Sequence, residues 1–556
     1  MGFNMSKTVD IDLSGDRLIA IAADMLDEHN YIGALKMLNK NAGISGNDED
    51  SYMLYAEIFD DMGLYERSVH HWFKYMDVAL LSELADCYEG LAVGYMNLGN
   101  EHFSAYYYNK LLLETDEVDA ATREQIVQDF LSAEGNPLKF SYPPEIADVS
   151  EEMSEGVNCM KQGEFDKALE HFDSVAEGNP KWSAARNYMA MCHIVRDECE
   201  KAEEECLNIL KKQPQNVQAL TTLAAVKSEE GKTEEARALT EKLLNLDIKD
   251  TDELFKIATV CCENKMHAEA YSLFCKMEGD VQNDLNVLYF KAISAFNAKN
   301  YDQCFDAFDK LLTIYPDAVT AQFYYRIARQ RAENGEWEEM SYFYSLPQEL
   351  RQSSLKMLAA FIKLPKKQAL HLADELNIAG PVKWCFDEAN PNNSEELQTL
   401  AAQVAVKAKM DDYVRDLLLH PFVADKLKIE MLESLCERGE VNEFGVVICN
   451  VFKRVSMRKL YTGVKKRANF TRAYSRLVAH FSILDDSYGE RFATAAEKFY
   501  GELERCGRLE AAKDLDALTA VIFEDAKVTD TGITKENLSA FFDVSEERLK
   551  FLRGEQ

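Results

Sequence analysis

The sequence has little positive charge and no long apolar run, and each shortage excludes a class of function. It carries 62 Lys and Arg residues against 96 Asp and Glu residues, for a net charge of -34. This balance disfavours general affinity for nucleic acid, because phosphate binding needs cationic side chains. Uncharged and mostly apolar stretches, such as 217–226 and 444–452, are too short to cross a bilayer. We therefore expect a soluble protein without membrane insertion.

Motifs for catalysis and for metal binding are also missing. The 13 cysteines include no CxxC pair, and neither Cys192 with His193 nor Cys199 with Cys206 has a second cluster at the spacing of a zinc site. The sequence contains no phosphate loop, nucleophile elbow, HExxH motif or dinucleotide fingerprint. We expect no metal, no cofactor and no enzymatic activity, and the scattered cysteines predict a reducing, cytoplasmic environment.

What the sequence does contain is one pattern that returns five times between residues 149 and 318, with a period of 34 residues. Small residues occupy two places in each copy. The first is occupied by Gly156, Ala190, Ala224, Ala258 and Ala292, and the second by Ala168, Ala202, Ala236, Ala270 and Cys304. Apolar residues at intervals of three and four predict two amphipathic helices per copy, with turns at Gly163 and Gly231. Small residues let the paired helices pack closely.

The copy from 155 to 180, EGVNCMKQGEFDKALEHFDSVAEGNP, resembles a tetratricopeptide repeat. The resemblance implies an all-α fold, a superhelical array of antiparallel helix pairs, followed here by an irregular helical C-terminal region. Repeat units of this kind bury their apolar faces only by stacking on one another.

The register of the repeats divides the chain into six parts. They are an N-terminal tail (1–14), an array of three repeats (15–118), a helix with a proline-containing connector (119–148), a central array of five regular repeats and one degenerate repeat (149–354), an irregular helical region with few strand signals (355–509), and a C-terminal helical hairpin (510–556). In the degenerate repeat the register slips by two, and Trp337, Met340 and Tyr344 occupy places of its second helix. We expect this unit to end the regular stack.

The resemblance also implies a function, which is to hold a peptide or helical segment of another protein in a groove lined by the first helices. Groove places of the family correspond here to Asn187, Tyr188, Met191, Phe255, Tyr289, Phe290, Ile293, Phe296, Asn297, Tyr325 and Arg329. Tyr289 and Phe296 are expected to be exposed aromatic anchors. The alternative is that these rings pack on one another, or on the C-terminal helices, as ordinary core.

A second function is suggested by residues 451–476, which contain nine basic residues and no acidic one. These are Lys453, Arg454, Arg458, Lys459, Lys465, Lys466, Arg467, Arg472 and Arg476. Together with interleaved aromatics they form a candidate patch for an anionic partner such as nucleic acid. The structural interpretation is a solvated face whose charges pair with nearby acidic groups.

Residues 534–553 resemble a helix-turn-helix motif, which would fit a nucleic-acid-associated regulator. However, Asp543 stands at the usual turn glycine, and Glu546 and Glu547 open the second helix. These carboxylates would repel a phosphate backbone, so the sequence favours a structural hairpin over one that reads DNA.

Overall fold

The structure is a computed structural model. It describes residues 15–80, 84–114, 126, 152–173, 175, 182–277, 279–335, 337–387, 389–390, 394–438, 443–529, 531–534 and 537–554. The predicted tail and, apart from Ile126, the predicted helix and connector at 119–148 lie outside these ranges. The chain divides into two compact units. We call Ile146–Leu346 with Asp387–Pro391 the central unit, and Met1–Glu145, Pro347–Phe386 and Asn392–Gln556 the outer unit.

The outer unit begins with three antiparallel helix pairs. Their bounds are α1 Gly15–Asp27, α2 Tyr31–Ile44, α3 Glu49–Asp61, α4 Tyr65–Val78, α5 Ala85–Asn97 and α6 Glu101–Glu114. Gly63 and Gly99 have positive φ in the turns after α3 and α5. These positions are 36 residues apart, as the two extra residues before the third predicted repeat require.

The central unit contains the five regular helix pairs predicted by the 34-residue period, and one further helix. The bounds are α7 Glu152–Lys161, α8 Phe165–Asp173, α9 Trp182–Val195, α10 Cys199–Lys212, α11 Val217–Glu229, α12 Thr233–Leu244, α13 Thr251–Glu263, α14 His267–Lys276, α15 Leu285–Asn297, α16 Tyr301–Ile314 and α17 Val319–Asn334. A 3-10 turn, Asp280–Asn283, precedes α15. The prediction of an all-α array of helix pairs is confirmed.

Local chemistry recurs with the same period at both ends of the first helices. Before α11, α13 and α15, the side chains of Asn216, Asp250 and Asp284 accept hydrogen bonds from backbone N–H groups in the first turn. The turn after each first helix contains one residue in the left-handed region. These turn residues are Gly163, Asp197, Gly231, Lys265 and Lys299. The two predicted glycine turns are confirmed, and the other copies adopt the same conformation without glycine.

Close packing explains why the two small places recur. Every alanine named at these places, and Cys304, is fully buried. A Cβ atom added to Gly156 would lie 2.6 Å from Cε1 of Phe172, a buried ring of the paired helix. A larger side chain at such a place would push the two helices apart, which is costly in a close-packed interior.

The sixth repeat differs from the prediction. Its helix α17 starts 34 residues after α15, so the register does not slip where the helix begins; α17 is longer, with 16 residues against 13. After Gly335 ends α17 in the left-handed region, residues 337–346 form neither a helix nor a strand. The expected second helix is therefore wrong, and we call residues 337–346 the strap.

The remainder of the outer unit contains irregular helices and one hairpin of strands. The bounds are α18 Gln348–Phe361, α19 Lys366–Glu375, α20 Ala379–Cys385, α21 Glu395–Ala408, α22 Asp411–Leu419, α23 Asp425–Arg438, β1 Glu443–Ile448, β2 Val451–Ser456, α24 Arg467–Phe481, α25 Tyr488–Arg505, α26 Leu515–Ala526, α27 Leu538–Phe541 and α28 Glu546–Arg553. Between α25 and α26 lies a 3-10 turn, Leu509–Lys513.

The antiparallel pair β1 and β2 agrees with the expectation of few strand signals in this region, since the described residues contain a single two-stranded sheet. Cys449 and Asn450, between the strands, both have positive φ, as a two-residue type I′ turn requires. The β-branched residues on both sides were the signal for these strands. Gly445 allows β1 to approach the first array, since an added Cβ would lie 2.0 Å from Oδ1 of Asp77.

The hairpin of strands joins the first array to the later helices of the same unit. The Tyr107 hydroxyl on α6 donates to the carbonyl of Asn450, at 2.7 Å. The Arg454 guanidinium on β2 donates to the carbonyls of Met76 and Asp77, each at 3.1 Å. The N-terminal array therefore has a partner far along the chain, a contact that its sequence register did not indicate.

Candidate functional site

The candidate site is the inner face of the central unit, which the repeat register assigns to the first helices. At α13, α15 and α17 the strap lies on this face. The strap is extended up to Tyr342 and bends at Phe343 and Ser345, and burial alternates along it: Met340 and Tyr344 are buried, while Ser341 and Phe343 are exposed. A period of two is typical of an extended chain with one side against a surface. The face thus holds a segment of its own chain.

Asn297, at the end of α15, makes the most specific contact with the strap. Its Nδ2 donates to the carbonyl of Met340 at 2.9 Å, and its Oδ1 accepts from the N–H of Met340 at 2.8 Å. Both hydrogen bonds are buried. One amide side chain therefore satisfies both main-chain groups of a residue that has no ladder partner, which is the requirement for burying an extended backbone.

Two tyrosine hydroxyls hold the strap main chain in the same way. Tyr289 on α15 donates to the carbonyl of Ser341 at 3.2 Å, and Tyr324 on α17 donates to the carbonyl of Ser345 at 2.9 Å. The pKa of Tyr289 is raised well above its ordinary value, first because the ring is buried and then because Tyr324 is near. The hydroxyl therefore stays protonated and able to donate.

The strap tyrosine Tyr342 enters a cleft with aromatic walls. Its ring stacks on Phe290 and on His267, with centroid separations of 6.2 and 5.8 Å, and a hydrogen bond of 2.7 Å joins its hydroxyl to Nδ1 of His267. Burial lowers the pKa of His267, so the imidazole is neutral at pH 7. The walls are continuous with the apolar core around α13 and α14.

Tyr344 is the buried polar anchor of the strap. Its ring meets Tyr289 edge to face at 4.8 Å, and its hydroxyl donates to the carboxylate of Asp387, with oxygen distances of 3.0 and 3.2 Å. Asp387 is itself buried and accepts from the N–H of Thr320 at 3.0 Å. Because a buried carboxylate needs donors, this position requires a hydroxyl and not a plain phenyl ring.

The outer edge of the strap makes exposed, charged contacts. Nζ of Lys265 lies 2.8 Å from a carboxylate oxygen of Glu339, and Nζ of Lys299 lies 4.9 Å from the ring centroid of Trp337. Both lysines are the left-handed turn residues of their repeats. Exposed ion pairs contribute little stability, so this edge adds little to the free energy that holds the strap in place.

The predicted groove residues divide into three groups. Tyr289, Ile293, Phe296 and Asn297 are buried on α15, and Phe290 packs with Phe255 and with the strap. The expected exposure of Tyr289 and Phe296 is wrong, because the unit covers both rings.

On α9, Asn187 is buried, Tyr188 stacks on Phe172, and Met191 is 41% exposed. Met191 is therefore an apolar side chain of the first helices that the strap leaves open. This helix belongs to the part of the inner face that precedes the strap.

Tyr325 and Arg329 turn away from the strap. The Tyr325 ring packs on Phe308 of α16, its hydroxyl meets Asp309, and the Arg329 guanidinium lies 4.9 Å from the ring centroid of Phe305. Tyr324, one position earlier, faces the strap instead, because neighbouring helix residues point about 100° apart. The expected two-residue slip is absent, and this is why Tyr324 and not Tyr325 faces the strap. The alternation of Met340, Tyr342 and Tyr344 before Pro347 was the missed signal for the strap itself.

The nine basic residues of 451–476 do not share one surface element, since they lie on β2, on α24 and on the loop between them. Acidic side chains of the outer unit pair with most of them. The pairs are Arg454 with Glu443, Arg458 with Glu490 and Glu497, Lys465 and Lys466 with Glu510, Arg472 with Glu437, and Arg476 with Glu433 and Asp516. Hydrogen bonds from Lys513 and Lys466 lower the pKa of Glu510 to about 2. These contacts favour the structural interpretation of the stretch.

The C-terminal hairpin is likewise held by internal ion pairs. Asp543 has φ of 50° in the turn, and Ser545 caps α28 by accepting from the N–H of Arg548. Nε of Arg548 lies 2.7 Å from Oδ2 of Asp514, and Arg553 pairs with Glu524. Both arginines of α28 therefore point into an acidic neighbourhood of the outer unit.

The described residues contain no cluster of three His, Cys, Asp or Glu side chains that could hold a metal ion. Over the same parts of the chain, none of the helices combines the length and the apolar character needed to cross a membrane.

Two family models match the central unit. Residues 160–222 match a tetratricopeptide repeat, and residues 229–311 match subunit 3 of the anaphase-promoting complex, or cyclosome. Both matched ranges fall within the helix pairs that carry the 34-residue period.

Similar solved structures include the C-terminal part of a TPR repeat-containing protein from Cytophaga hutchinsonii and yeast Tom70. The first is 12% identical over 55% of this chain and 98% of its own, with a TM-score of 0.17. The second is 14% identical over 97% of this chain and 95% of its own, with a TM-score of 0.20. TM-scores this low establish no shared overall path of the chain.

Proposed function

We propose that this chain, whose central unit carries tetratricopeptide repeats, is a non-catalytic scaffold that holds an extended segment of another protein on the inner face of those repeats. The observation that carries the proposal is the way Asn297 binds both main-chain groups of Met340. Contacts to main-chain atoms are available to any extended segment, and pockets beside them supply selectivity.

The aromatic and nearly uncharged character of the face supports a peptide partner over nucleic acid. The hydrogen bonds from Asn297, Tyr289 and Tyr324 to the strap main chain come from amide and hydroxyl groups. The nine basic residues of the stretch 451–476 lie in the outer unit, and acidic side chains pair with most of them. All 13 cysteines are free, which supports a reducing, cytoplasmic location for the complex.

The proposal is tested by panning the full chain against a library of random 12-residue peptides. Met191, 41% exposed on α9, should contact the selected peptides, so Met191→Glu should weaken their binding by about 1 to 3 kcal/mol, the range of a moderate interface contact. Leu207→Glu is the matched control, because Leu207 is 42% exposed on the second helix α10 of the same repeat. Binding lost equally in both variants, or no selected peptide at all, would refute the proposal.

A further inference from the structure

The strap occupies the inner face as a bound ligand would, although it belongs to the same chain. Asn297, Tyr289 and Tyr324 together make four hydrogen bonds to its main chain. None of these contacts is part of a helix or of a strand ladder. The strap can therefore leave the face, and another extended segment can replace it, without breaking a helical hydrogen bond.

Several features of the strap are those of a segment held less firmly than the helices beneath it. Phe343 is 62% exposed and Trp337 is 47% exposed, so two of its aromatic side chains contribute little burial. Its ion pairs, Lys265 with Glu339 and Arg331 with Glu338, lie at the surface. Segments with no regular backbone pairing open at lower free energy than the helical core.

We propose that the strap is an internal competitor, and that the partner is an extended segment with the same side-chain chemistry that displaces it. This inference rests on the proposed function. The face selects an acidic residue beside Lys265, an apolar residue in place of Met340, and tyrosines in place of Tyr342 and Tyr344. The second tyrosine is selected over phenylalanine, because the buried carboxylate of Asp387 requires its hydroxyl donor.

Competition by the strap lowers the apparent affinity for a segment in trans. A ligand that binds only the open state has its apparent affinity reduced by the fraction of molecules in which the strap is displaced. Weakening the strap raises that fraction and tightens binding of a segment in trans. A substitution at an exposed strap position should leave the fraction unchanged.

The probe is a fluorescein-labelled peptide with the sequence of residues 338–346, EEMSYFYSL, titrated by anisotropy against the full chain. Tyr342→Ala removes the stacking on Phe290 and His267, and the variant should bind the peptide at least about tenfold more tightly than the unchanged chain. Phe343→Ala is the matched control and should bind like the unchanged chain. Tyr344→Phe removes the hydroxyl that donates to the buried carboxylate of Asp387 and gives a second weakened strap if Tyr342→Ala does not fold.

The outcomes distinguish failure of the competitor proposal from failure of the proposed function. Tighter binding in the weakened-strap variants, reduced at least about fivefold when the peptide carries phenylalanine for the second tyrosine, supports the inference. Equal binding to all variants overturns the competitor and leaves peptide binding intact. If no variant binds the strap peptide while library peptides still bind, the inference is again overturned and the proposed function stands. Failure of both kinds of peptide overturns both.

Discussion

The contact between Asn297 and Met340 gives the sharpest test of how the strap is held. Asn297→Ala removes one donor and one acceptor and leaves the N–H and C=O of Met340 without protein partners. Each unsatisfied buried group costs about 1 to 3 kcal/mol. We therefore expect the free energy that favours the docked strap to fall by about 2 to 4 kcal/mol. The loss is limited because the strap can be released into water, where both groups are solvated.

Hydrogen exchange measured by mass spectrometry detects this change locally. Amides in peptides covering 338–346 should exchange at least about tenfold faster in Asn297→Ala, since 1.4 kcal/mol is a factor of ten in the opening equilibrium. Exchange in α7 and α8 should be unaffected. Asn245→Ala is the matched control, because the Asn245 amide donates to the carbonyl of Glu241 at an exposed position, 2.8 Å away.

Two results would contradict the role of Asn297 in holding the strap. If Asn297→Ala folds and residues 338–346 keep their protection, the two hydrogen bonds do not hold the strap. If Asn245→Ala accelerates exchange in the strap equally, the effect belongs to general destabilisation and not to the Asn297 contact.

Three further changes test the packing and the titration of His420. Ala224→Leu, at a fully buried small place, should overpack one helix pair and destabilise the chain by about 1 to 3 kcal/mol; an unchanged melting temperature would contradict the repeat register. Gly90→Ala should also lower the melting temperature, because its Cβ would lie 2.2 Å from Cε2 of the Trp72 indole, and an unshifted transition would contradict that close approach. Burial, partly opposed by Asp416, lowers the pKa of His420 to about 4, so the unfolded chain binds more protons between that pH and about 6.5 and stability should fall as pH is lowered through this window. His420→Gln should flatten the dependence of the melting temperature on pH, and an equally steep profile would exclude this residue as its source.

Much of the fold follows from the sequence because its causes are local. The period of 34, the small places and the turn residues act within one helix pair or between adjacent pairs, so their spacing alone predicts the stack. Gly156 and Phe172 illustrate this local cause, because a Cβ atom on Gly156 would clash with the ring of Phe172. The register also predicts aromatic residues along α15, but it predicts that Tyr289 and Phe296 are exposed, and the structure buries both.

Only the tertiary structure decided what covers the aromatic residues of α15. The strap follows α17 where a second helix was expected, and its extended form is stabilised by Asn297 and Tyr289, more than 40 positions earlier. Likewise, Tyr107 contacts Asn450 across 343 positions, and this contact joins the first array to the hairpin of strands. Contacts at such separations produce no periodic pattern in the sequence. Each contact depends on the positions of distant elements, and those positions are set by tertiary packing.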